Sequence, residues 1–159
     1  MTRRDDWLLT ALLVIVSCVV IVALVLVIFA VRSEPKRSLH PDLPDRSLTP
    51  GAVAVGVTKK QVCTPGYTAK VRNVPLSVRK KVFAEYGIPY ADASKYEVDH
   101  LISLELGGSN DIRNLWPEFG PRPNPKDKVE NTLHRRVCSG AMTLEAAQRA
   151  IATNWKTAA

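Results

Sequence analysis

Residues 95 to 118 read "KYEVDHLISLELGGSNDIRNLWPE", and the way this stretch folds decides how the rest of the chain is understood. Apolar and polar residues alternate imperfectly on either side of a glycine pair, and Asn and Asp punctuate the middle. The pattern predicts two short strands around a loop. Asp99 and His100 sit side by side on the first strand. Gly107 and Gly108 permit a tight loop, and Asn114 is of a type that stabilises turns.

The segments around this core read as helices. In "NPKDKVENTLHRRVCSG", Asn124 is placed as cap and Pro125 at the first helical position. Val129, Leu133 and Val137 follow at spacings of four, and Gly140 ends the helix. In "TLEAAQRAIATNW", Thr143 is the expected cap, with Leu144, Ala147, Ile151 and Trp155 facing inward. Upstream, "SVRKKVFAEYG" predicts a helix capped by Ser77, with Val78, Val82, Phe83 and Tyr86 on one face and Gly87 and Pro89 stopping it. The valine-rich "GAVAVGVTKKQVC" is a candidate short strand. The expected fold class is α+β: a small ββα unit with flanking helices, preceded by one transmembrane helix.

That last element rests on residues 7–31, "WLLTALLVIVSCVVIVALVLVIFAV", which hold no charge. As a helix they would extend roughly 37 Å, more than the ~30 Å hydrocarbon core of a bilayer. A cleaved signal peptide is the rival reading, but its apolar region normally runs about 7–15 residues and ends in a small-x-small site. Residues 32–50, with four prolines and many charges, read as an extended linker. The expected domains are thus 1–31, a cytoplasmic stub and membrane helix; 32–50, a linker; and 51–159, the folded domain.

Flanking charges leave orientation open: Arg3 and Arg4 precede the span, and Arg32, Lys36 and Arg37 follow it. Cysteines say more. Cys18 lies within the span, which leaves Cys63 and Cys138 for the soluble part. Such a pair closing a long loop suits a disulfide in an extracytoplasmic compartment; two unrelated buried thiols are the alternative. Net charge is +7, of which +6 remains once residues 1–32 are set aside. A basic domain of this size favours phosphate backbones or anionic lipid as partners.

A ββα unit would bring Asp99 and His100 toward Asn124 at the helix start. Carboxylate and amide oxygens are hard ligands for Mg²⁺ or Mn²⁺, and an imidazole kept off the metal can act as a general base. Lys126, Lys128, Arg135 and Arg136 are candidates for phosphate contacts, with a solvated helix face as the other reading. Trp116 reads as core and His134 as exposed.

The stretches "YEVDHLISLELGGSNDIRNLWPE", "KDKVENTLHRRVCSG" and "AQRAIATNW", in that order, resemble bacterial proteins of the HNH (ββα-metal) nuclease superfamily, from about Cys63 to Trp155. The resemblance implies that His100 activates water and that Asn114 holds the loop orienting it. Asp99 and Asn124 would bind one divalent ion, Mg²⁺ or Mn²⁺ foremost and Zn²⁺ or Ni²⁺ as alternatives. The basic residues of the same helix, Lys126, Lys128 and Arg135, are the expected substrate contacts on their charge alone. Asn124 stands where relatives often have His, and Ser103 where they commonly have Pro. The expected activity is metal-dependent hydrolysis of DNA, or RNA, with low sequence specificity. The alternative is a non-catalytic, membrane-anchored module binding nucleic acid or the cell envelope. Nucleic acid and membrane are the partners implied; no protein partner is.

Overall fold

The computed structural model describes residues 13–26, 42–120 and 123–159. The chain divides into two compact units, Met1–Arg37 and Ser38–Ala159. In the first, residues 13–26 form a helix, α1, whose side chains are all exposed. Among the described residues no helix is long and apolar enough to cross a membrane. Residues 1–12 and 27–31 of the expected stub and span, and residues 32–41 of the expected linker, lie outside the described residues.

The second unit is α+β, helices around one hairpin. Its strands β1 (Tyr96–His100) and β2 (Leu115–Phe119) pair antiparallel, with Tyr96 opposite Phe119 and His100 opposite Leu115. Both belong to the stretch expected to hold two strands. Pro117 sits mid-strand without breaking the pair, because a two-stranded sheet leaves each strand one edge on which an N–H is not required.

Around the hairpin lie α2 (Lys59–Val62), α3 (Tyr67–Val71), α4 (Leu76–Glu85), α5 (Pro125–Ser139) and α6 (Leu144–Asn154). Local chemistry sets the ends of the last two. Asn124 and Asp127 form a reciprocal capping box at α5, with Pro125 just inside and Gly140 closing it at φ +85°. The Thr143 hydroxyl accepts the Ala146 N–H at the start of α6. Helix α4 departs from expectation at its start: Pro75 is the cap residue and Ser77 already lies within the first turn. The expected strand near Val53 is reduced to a single bridge to Gly108. Beyond it Thr58 and Gln61 form a capping box that opens α2. Helices α2 and α3 are too short for hydrophobic periodicity to mark them.

Two apolar cores result. In one, Val82, Phe83 and Tyr86 of α4 pack on Val98, Leu115 and Trp116 of the hairpin. In the other, Leu133 and Val137 of α5 meet Leu144, Ala147 and Ile151 of α6, with Val62 and Leu106. Leu101 belongs to the first and its neighbour Ile102 to the second, so the chain leaving β1 stitches the two together.

The expected linker also needs revising at its C-terminal end. Thr49 is fully buried, its hydroxyl 2.8 Å from the Tyr86 hydroxyl and donating to Leu115 O. Asp42 pairs with Lys156, and Arg46 donates to Thr153 O. Residues 42–50 are therefore part of the folded unit; a proline-rich composition does not register a single buried hydroxyl with two partners.

Cys63, at the end of α2, is bonded to Cys138 on α5 across 75 residues. Closing a loop of that length removes chain entropy from the unfolded state worth about 4 kcal/mol in the loop-entropy description. Reduction with a mild thiol, or Cys63→Ser with Cys138→Ser, is expected to lower unfolding free energy by about that amount in urea titrations. An unchanged midpoint would show that the bridge is not closed in the native protein.

Candidate functional site

Residues 101–114 form a loop between the strands that is held from within by one amide. Asn114 is fully buried, and its Oδ1 accepts the N–H of Ile102 at 3.0 Å and of Ala52 at 3.3 Å. Its Nδ2 donates to Ile102 O and Ser109 O, both at 2.9 Å. Two donors and two acceptors are thus all used, the full capacity of a carboxamide. Gly108 makes the close approach possible: a Cβ there would lie 1.7 Å from Ile102 O and 2.9 Å from Asn114 Nδ2. Gly107 has φ +76° and would drive a Cβ into Val57. The glycine pair is a steric requirement of this clasp.

Being neighbours on a strand, Asp99 and His100 send their side chains to opposite faces of the hairpin. His100 is 2% exposed and its Nε2 lies 3.1 Å from Asn110 Oδ1. Asn110 is itself fixed, Nδ2 donating to Val71 O and Oδ1 accepting the Asn73 N–H. Oδ1 being an acceptor, Nε2 carries the proton and Nδ1 the lone pair. Burial holds the imidazole pKa below its usual value, a pull partly offset by the Asn110 hydrogen bond. The result is a neutral ring of defined tautomer.

On the other face Asp99 meets α5, through Lys126. This lysine is 1% exposed. Its ammonium donates to Asp99 Oδ2 and to His100 O, each at 2.7 Å, and to Glu130 Oε1 one helical turn on. Burial disfavours the charge, but Asp99 and Glu130 outweigh it and hold the Lys126 pKa above its ordinary value. Beside this cluster, Asn124 Oδ1 accepts the Lys126 N–H as helix cap, and Nδ2 donates to Glu118 Oε2 at 2.7 Å. Glu118, 6% exposed, has its pKa pushed up to about 8, first by burial and then by the nearby Asp99 charge.

Such an arrangement does not fit a divalent ion while Lys126 is in place. The Asp99 oxygen expected on a metal receives an ammonium, and the Asn124 oxygen caps a helix. Among the described residues, the group of metal-ligating side chains that does converge is Cys63, His134 and Cys138, whose sulfurs are bonded to each other. His134, expected to be exposed, is half-buried, with Nε2 3.0 Å from Val62 O.

The remaining expected residues fall elsewhere. Lys126 is not a solvated phosphate contact, because all three of its N–H bonds are used inside. Lys128 is exposed and lines a cavity of about 630 Å³, together with Trp116, Glu118, Phe119, Trp155 and Lys156. Arg135 is exposed and donates to the Thr132 hydroxyl. Trp116 is 1% exposed, in the core as expected.

Sequence reasoning missed Asn110, Glu118 and Glu130. Glu130 had a signal, its i,i+4 spacing from Lys126. Glu118 is opposite Glu97 in the register, which strand alternation alone does not reveal. Compared with known protein families, curated proteins and solved structures, the chain matches none.

Asn114→Ala would leave four backbone groups without their partner, two buried at Ile102 and two part-buried at Ala52 and Ser109. Each such group costs about 1–3 kcal/mol, so a loss of at least about 3 kcal/mol is expected after relaxation. Chemical denaturation checks this; a loss below about 1 kcal/mol would show that the loop does not hang on this side chain.

Proposed function

We propose that the folded unit is an HNH-type ββα domain acting on the phosphodiester backbone of nucleic acid. The observation that carries the reading is the Asn114 clasp, which fixes the turn beside His100 in the manner the resemblance implies. A neutral His100 with its lone pair on Nδ1 supports a role as base: it would take the proton of a water attacking phosphorus. Net positive charge on the domain, with Lys128 and Arg135 exposed, supports loose recognition by backbone charge.

One observation favours a second reading, the same scaffold as a non-catalytic binding module. His100 is almost closed off from solvent, and Lys126 occupies the groups on which metal-assisted hydrolysis would draw.

Full-length protein mixed with plasmid DNA separates the two, with Mg²⁺ or Mn²⁺ in one arm and a chelator in the other. Cleavage that falls about two to four powers of ten in folded His100→Ala supports hydrolysis with His100 as base. DNA retained without cleavage, with affinity falling steeply as salt rises, supports the binding module. Neither cleavage nor retention would remove nucleic acid as the substrate class.

We further propose that residues 7–31 anchor the protein in a membrane with the folded unit outside the cytoplasm. Support comes from 25 residues without charge and from the Cys63–Cys138 bridge, since cytosolic thiols stay reduced. A reporter active only outside the cytoplasm, fused after Ala159, is expected to be active. Consistent activity of a cytoplasmic reporter at the same position would overturn the orientation.

A further inference from the structure

We infer that the Lys126 ammonium is the resident cation of the locus between β1 and α5, so that this domain takes up no divalent ion there. The inference goes beyond the proposed function and stands whether or not the domain cleaves nucleic acid.

The local chemistry is that of a cation site already filled. Three oxygens from three residues converge on one nitrogen: a carboxylate oxygen of Asp99, a carboxylate oxygen of Glu130 and the main-chain carbonyl of His100. Hard oxygens of this kind are what Mg²⁺ and Mn²⁺ use. An ammonium has three N–H donors, and here each has one acceptor. The stem of the lysine leaves the second helical position of α5, where the Asn124 cap and Pro125 fix the backbone. With 1% of its surface exposed, the side chain has no solvated alternative at hand. A divalent ion at the same oxygens would have to displace Nζ or sit against another positive charge.

Charge compensation also explains why the position is a lysine. Asp99 and Glu130 are half-buried, 18% and 14% exposed, and carboxylates so far withdrawn from water need a partner. A protein that loads a metal can leave that partner to the ion. Here the partner is covalently part of the helix, and Glu130 lies one turn along on the same face to share it.

The test uses full-length protein and Mn²⁺ alone, read by the loss of the free-ion paramagnetic resonance signal and by thermal unfolding. Wild type is expected to leave the signal undiminished and to melt at the same temperature in Mn²⁺ and in chelator. Lys126→Ala opens the three oxygens, and is expected to bind Mn²⁺ about tenfold or more tighter than wild type, with a melting temperature raised by the ion. Lys126→Gln, which keeps amide donors in the space, serves where Lys126→Ala does not fold. Wild-type uptake of Mn²⁺ that disappears in Asp99→Asn would overturn the inference. So would a folded Lys126 variant that takes up no more Mn²⁺ than wild type does.

Discussion

A single buried carboxamide governs the middle of this domain. Asn114 closes the loop between two strands that are each too short to hold a hairpin by themselves, and it does so by satisfying main-chain groups that would otherwise be buried unpaired. From that closure follow the positions of Leu101 and Ile102, which face different cores, and hence the way α4 is joined to α5 and α6. The clasp also requires a residue without a side chain at Gly108. Loop, strands and cores are one construction with a common hinge point.

The two faces of the hairpin then take on different chemistry. One presents an imidazole whose tautomer is set by a fixed amide, the other an ion cluster with its own internal cation. A pair of adjacent residues in sequence is thus split by the strand pleat into two environments that share a backbone carbonyl: His100 O accepts from Lys126 while its ring faces Asn110. Electrostatic influence crosses the hairpin, since both Asp99 and Lys126 act on the imidazole.

How much of this was legible beforehand depends on the range of the signal. Caps at Asn124 and Thr143, apolar spacing along α5 and α6, and the punctuation between β1 and β2 are all encoded within a few residues, and those elements stand where the sequence puts them. The Cys63–Cys138 pair was readable because composition left no other partner in the soluble part. Lys126 was not. On a helix of low apolarity a lysine near the start belongs with the solvated residues, and nothing local says that the end of β1 packs over it. Thr49 and Asn110 escaped for the same reason: each is defined by partners 37 or more residues away, or by a loop whose path is set by Asn114. Asp99 and Asn124 each bond to Lys126, the one to its ammonium and the other to its main-chain N–H.

The Cys63–Cys138 bridge has a topological effect beyond its contribution to stability. It encloses α3, α4, both strands, the clasped loop and α5 as far as Cys138 in one covalent ring. A protease that cut one peptide bond anywhere between those cysteines would produce two polypeptides still joined through sulfur. In a compartment rich in proteases, that makes a nicked molecule a continuing one: the first cut would open a ring and release nothing.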